Sequence, residues 1–194
     1  MIEIGAGGGS IARVNALGVI EVGPESASAD PGPACYGKGG TQPTVTDADL
    51  LLGHLDAASF LGGTMRLDRQ AAEAAIRRAV ADPLGLTVID AALGIRATVD
   101  ESMAQAAAIH AIEKGVRIAD YAMVAIGGAG PLHACDVARR LGMRRVICPA
   151  GAGVASAFGF LASPVAFAAA RTRIMPFSAI SADDAAALLD ALAD

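Results

Sequence analysis

The chain has 194 residues, 54% of them hydrophobic and 18% charged, which excludes a disordered chain and allows a sizeable core. A net charge of −5, with no run of Lys or Arg, excludes a binder of nucleic-acid backbone. Aromatic residues make up 4% and Trp is absent, so the core must come from Ala, Val, Leu and Ile. Cys35, Cys135 and Cys148 are odd in number, far apart and form no CxxC. They read as buried free thiols in a reducing cytosol, not as a disulfide framework or a structural zinc site.

In chain order, residues 1–4 lack the basic and apolar regions of a secretory signal. A glycine loop, Gly5 to Gly9, leads into a strand over Ser10–Val14, a turn at Asn15–Gly18 and a second strand over Val19–Val22. Residues 23–46 are punctuated by Gly and Pro and form a long, ordered loop of the kind that carries function. At its end, Thr44–Thr46 reads as a short strand, and Thr46 or Asp47 caps a helix over 48–55. Asp68 caps a helix over 69–81 that Pro83 and Gly85 end. Thr87 and Asp90 open the longest helix, 88–114, closed by Gly115, with Gly94 allowing close packing.

The period then changes. Ala122–Ile126 is an apolar run of strand length, followed by the loop Gly127–Gly130, Pro131, a helix over 132–141 and a strand over 145–148. This β–loop–α–β unit predicts two parallel, buried strands and an α/β fold. A third turn, Gly151-Ala152-Gly153, leads into 154–161. Cys148–Ala170 carries no charge, but Pro149, Pro164 and the Ala and Gly content argue against a membrane span. Ser181 with Asp184 starts a helix that runs to Asp194. The opening glycine loop and that unfinished helix predict an incomplete chain, with one domain over 1–165 and the start of a following segment over 166–194.

Glycine loops let backbone amides converge on an anion, and a helix N-terminus behind them adds a favourable dipole. The loop Gly7-Gly8-Gly9-Ser10 and the loop Gly127, Gly128, Gly130 are the two candidates. The second is no dinucleotide fingerprint, because His133 stands where a glycine is needed, and no Gly-Lys-Ser/Thr follows. A plain structural turn is the alternative for each. His133, near a helix start, either meets a ligand or is a buried, bonded imidazole. Asp47 and Asp49 flank a helix start, where paired carboxylates hold Mg²⁺ or act as a base, while capping explains Asp47 without function. His110 and Glu113 have the spacing of a metal pair or of a solvated helix face. His54 has no evident partner.

Several stretches together resemble the hydantoinase A/5-oxoprolinase family. They are Gly5–Ala12 (GAGGGSIA), Val22–Ala27, Ala29–Gly37, Pro43–Ala48, Leu50–Gly53, Gly127–Ala134 and Ser156–Gly159, in order over residues 1 to about 165. Ser28, Lys38, Asp49 and Ile126 stand where that family usually has Gly, Arg, Asn and Phe. The resemblance implies a lobe of an actin/hexokinase-like ATPase, with ATP and Mg²⁺ as cofactors in the complete protein. The family's Asp-Gly-Gly-Thr phosphate motifs are not in this chain, which is therefore expected to lie after them. The implied activity is ATP-dependent opening of a cyclic amide, of the 5-oxoproline or hydantoin type, in the cytoplasm beside a hydantoinase B-type partner. The alternatives are a ketone carboxylase subunit and a non-catalytic scaffold subunit. Gly127, Gly128 and Gly130 would take the nucleoside side of the cleft, and Gly7, Gly8, Gly9 and Ser10 would lie near phosphate or substrate. Asp47 and His133 are the catalytic candidates.

Overall fold

A computed structural model of the chain describes residues 3–167, 169, 170, 172, 174, 176, 178 and 181–193. The chain divides into two compact units, Met1–Ser156 and Ala157–Asp194.

The first unit opens with an antiparallel hairpin, β1 (Ser10–Val14) and β2 (Ile20–Ser26). β1 has the predicted limits, whereas β2 runs on through Gly23 and Pro24 into the expected loop. Ser10 pairs with Ser26 and Ala12 with Val22, so β2 bulges. A bulge accommodates a proline that has no amide for the ladder. Gly23 has φ +74°, and an added Cβ would stand 2.5 Å from Gly5 O, so only glycine fits.

The expected strand at Thr44–Thr46 is a helix start instead. Helix α1 (Val45–Leu51) begins there, and Thr44 keeps only an isolated bridge to Ile11. The reason is a capping box set earlier than the sequence suggests. Thr44 Oγ1 accepts the Asp47 amide while the Asp47 carboxylate accepts the Thr44 amide.

Helix α2 (Arg69–Ile76) is capped by Asp68, which accepts the amides of Gln70 and Ala71. It continues through a π-type turn, Arg77–Ala81, into α3 (Asp82–Leu84). Pro83 is the second residue of α3 and does not end the helix; Gly85, left-handed at φ +64°, ends the segment. Helix α4 (Val88–Glu113) is capped by Thr87 as expected. At Gly94 an added Cβ would meet Ile20 Cδ1 at 2.5 Å, which is the predicted close packing. The core gathers Val45, Leu50, Ile76, Val80, Ile95 and Val99, all buried. Each such side chain contributes roughly 1.5–3 kcal/mol on burial.

Strands β3 (Met123–Val124) and β4 (Val146–Ile147) pair in parallel across helix α5 (Gly130–Arg140), as predicted. They are not buried as predicted, since Val124 is 58% exposed and Ile147 48%. One crossover helix covers only one face of a parallel pair. Cys35 is buried, but Cys135 and Cys148 are exposed, against the expectation of buried thiols, because α5 and the end of β4 turn them outward; all three are free.

Helix α6 covers Ala155–Ala162, and α7 (Ala182–Ala193) lies in the second unit. Ser181 Oγ accepts the Asp184 amide at 3.0 Å, the predicted cap. Asp194 lies outside the described residues. Among those described, no helix is long and apolar enough to cross a membrane.

Candidate functional site

The two glycine loops, far apart in sequence, face one another. Gly8, Gly9, Thr46 and Asp49 on one side and Gly128, Ala129 and Leu132 on the other line a cavity of about 230 Å³. Tyr36 and Phe60, with ring centroids 5.6 Å apart, give it an apolar flank. A larger cleft of about 450 Å³ is lined by Arg117, Tyr121, Arg144 and Arg145. It lies before the N-terminal ends of β3 and β4, whereas ligands of parallel sheets bind beyond the carboxyl ends, where Gly127–Gly130 follows β3.

The first loop is shaped from within. Ser10 Oγ accepts the Gly7 amide at 3.0 Å and donates to Gly5 O at 3.4 Å. Gly8 O accepts both the amide and the hydroxyl of Thr46 at 2.8 Å, and Gly9 O accepts the Ala27 amide at 2.8 Å. The carbonyls thus face the protein. The Gly8 and Gly9 amides have no protein acceptor among the described residues.

The second loop is held by Gly127, whose amide donates to Ala152 O at 2.8 Å and so ties the loop to the third turn. The amides of Gly128, Ala129 and Gly130 have no protein acceptor among the described residues, and they open α5, whose dipole favours an anion. An added Cβ on Gly128 or Gly130 meets nothing within 4 Å, and neither residue has a positive φ. Internal packing does not require glycine at either position.

Asp47 and Asp49 do not form a pair. Asp47 is wholly buried, and its oxygens accept the amides of Ala34, Cys35 and Thr44 and the Thr44 hydroxyl at 2.7–3.3 Å. It pins the loop at 33–35 to the cap of α1. Asp49 turns the other way, into an ion network around Arg96. Arg96 Nη1 donates to Asp49 Oδ1 at 2.6 Å and to His54 Nδ1 at 2.7 Å. Nη2 donates to Leu132 O at 2.6 Å and Asp136 Oδ2 at 3.0 Å. Burial pushes the Asp49 carboxyl up, but His133 and Arg96 outweigh that and hold it below the usual range.

His133 is 1% exposed and donates from Nδ1 to Asp100 Oδ1 at 2.7 Å. Its Nε2 stands 3.5 Å from Asp49 Oδ2 without making a hydrogen bond. Burial disfavours the imidazolium, yet the carboxylates of Asp100 and Asp49 prevail and lift the imidazole to about 9. His54, expected to have no partner, is an acceptor for Arg96, because the turn after α1 folds it back over Asp49. His110 Nδ1 stands 3.6 Å from Glu113 on α4, with side chains part-exposed, and makes no hydrogen bond among the described residues.

Arg96, Asp100 and Asp136 escape the sequence reading. The signal that could have found them is spacing: Arg96 and Asp100 sit four apart on the stripe of α4 that also buries Ala92 and Ala104. Two charges on an otherwise small apolar stripe must be paired. Among the described residues, no group of three or more His, Cys, Asp or Glu is placed to hold a metal ion. With Asp47 saturated and Asp49 bound to Arg96, these residues do not by themselves fit a Mg²⁺ site.

The model of the hydantoinase/oxoprolinase family matches residues 1–169. The chain belongs to this family. Within it, the chain is 46% identical over 164 residues to the caprolactamase subunit alpha of Pseudomonas jessenii, covering 84% of the chain and 24% of that subunit. It is 50% identical over 133 residues to the acetophenone carboxylase gamma subunit of Aromatoleum aromaticum, covering 68% of the chain and 18% of that subunit. The crystal structure of the ATP-dependent caprolactamase from Pseudomonas jessenii matches with a TM-score of 0.73 at 48% identity, over 79% of this chain and 22% of that one. The hydantoinase/oxoprolinase chain thus spans 24% and 18% of the length of these two relatives, one a caprolactamase subunit and the other a carboxylase subunit.

Proposed function

We propose that this chain supplies one wall of the nucleotide site in an ATP-dependent hydrolase that opens a cyclic amide of the 5-oxoproline or hydantoin type. The observation that carries this reading is the convergence of two glycine loops on one cavity, with unengaged amides on both sides. The cavity, about 230 Å³, is smaller than the roughly 300–1,000 Å³ of a complete small-molecule site. Other parts of the enzyme, built as an actin/hexokinase-like ATPase in the cytoplasm, complete it.

In this reading the amides of Gly128 and Gly130, on a turn fixed by Gly127, take the nucleoside side. Gly8 and Gly9, on a turn closed by Gly7 and Ser10, take phosphate or the substrate. ATP, when bound, supplies the phosphoryl group that activates the amide carbonyl. Asp47 holds the loop, Asp49 lines the cavity, and His133 offers its charge to Asp49 at 3.5 Å. Mg²⁺ comes with the phosphates, as is usual for this ion. A hydantoinase B-type subunit is the partner, in keeping with relatives that are themselves subunits.

A second reading, a subunit of an ATP-dependent ketone carboxylase, is favoured by the 50% identity to the acetophenone carboxylase gamma subunit. ATP turnover by the complete enzyme with its partner separates the two. Stimulation by 5-oxoproline, hydantoins or a lactam supports the hydrolase. Stimulation by acetone or acetophenone with bicarbonate supports the carboxylase. An assembly that forms without binding ATP sinks both and leaves a scaffold.

A further inference from the structure

Arg96 does not line the cavity, yet it bonds two residues that do. Its Nη1 donates to Asp49 on α1 at 2.6 Å, and its Nη2 donates to the Leu132 carbonyl in the first turn of α5 at 2.6 Å. Adding His54 and Asp136, four of its five N–H groups are used; Nε is left facing Asp100 at 3.7 Å. The side chain is 8% exposed, so water competes little for these bonds. The first glycine loop is in turn fixed to α1, because Thr46 bonds Gly8 O twice. A continuous polar path therefore runs from Gly8 through Thr46 and α1 to Asp49, across Arg96, and into α5, the helix that follows Gly128. The planar guanidinium holds Asp49 on one terminal nitrogen and Leu132 on the other, a fixed fork that a lysine ammonium lacks.

We infer that Arg96 is a positioning residue for nucleotide binding: it fixes the second glycine loop relative to the first and so sets the width of the cavity between them. This rests on the ATP reading above. The loop amides must converge on a single ligand, and a small misplacement of groups at such a site weakens binding steeply.

The test is titration calorimetry of ATP with the complete enzyme, at a temperature where circular dichroism shows each variant fully folded. Arg96→Lys keeps the charge but loses the fork, and it weakens ATP binding by about tenfold or more. At saturating ATP its kcat stays within about threefold of wild type. Asp136→Asn loosens only the α5 side and has a smaller effect in the same direction. A folded Arg96→Lys enzyme with wild-type affinity overturns the inference while leaving the ATP reading intact. If that variant does not fold, wild-type affinity in Asp136→Asn overturns it. A wild-type enzyme that binds no ATP overturns both.

Discussion

Arg96 and Asp49 meet at 2.6 Å across 47 residues of chain, with side chains 8% and 1% exposed. Breaking a buried pair from one side strands the other charge, which costs about 3–5 kcal/mol. Arg96→Met, which leaves Asp49, Asp100 and Asp136 without their shared cation, should lower the unfolding free energy by about that amount. Urea titration with an unchanged slope is the measurement. A loss under about 1 kcal/mol would mean the network contributes little.

His133 gives the chain a pH dependence above neutrality. Its imidazole, ordinarily near 6.5, is lifted to about 9 by Asp100 and Asp49 against the cost of burial. A raised folded-state value means the folded state binds the proton more tightly than the unfolded chain. The stabilisation is therefore complete below about 6.5 and is lost as pH rises to about 9. The urea midpoint should fall across that window, and His133→Gln should flatten it. Asp49 and Asp136 act in the opposite direction, being held below 3.8, and their contribution disappears as pH falls through their depressed values.

Two glycines in the facing loops should respond oppositely to a side chain. Gly128→Val adds bulk where nothing lies within 4 Å, so the melting temperature should stay within about 2 °C. ATP binding should be lost. Gly8→Ala puts a Cβ 2.7 Å from Thr46 Oγ1 and should destabilise the chain by about 1–3 kcal/mol. Normal ATP affinity in Gly128→Val would remove the second loop from the site.

Asp47→Asn distinguishes support from catalysis. The amide has one acceptor oxygen where the carboxylate has two, so hydrogen bonds from Ala34, Cys35 or Thr44 go unmet. Each bond to a charged group is worth about 1.5–3 kcal/mol, so stability should drop by at least that. For a supporting residue, kcat at low temperature, with the fold intact, should remain within about tenfold of wild type. A loss of several thousandfold in a folded variant would make Asp47 a catalytic base.

Much of this architecture can be read locally. The caps at Asp68, Thr87 and Ser181, the stop at Gly115 and the parallel β3–β4 pair follow from short-range rules, because a cap needs only its own next three residues. Thr44–Thr46 misleads for the same reason in reverse. β-branched residues suggest a strand, but Asp47 reaches back three positions and makes a helix of them. The exposure of Val124 and Ile147 could not be read from apolar runs, which show that a strand is fit for burial but not what covers it.

By itself, then, the sequence determined the family, most of the elements and the two glycine loops, since these depend on residue identity and near neighbours. Only the tertiary structure decided that the loops face each other, that Asp47 and Asp49 part company, and that Arg96, Asp100 and Asp136 join His133 at the site. Those relations depend on where α1, α4 and α5 cross, and partners brought together across 36 or 47 residues leave no periodic trace along the chain.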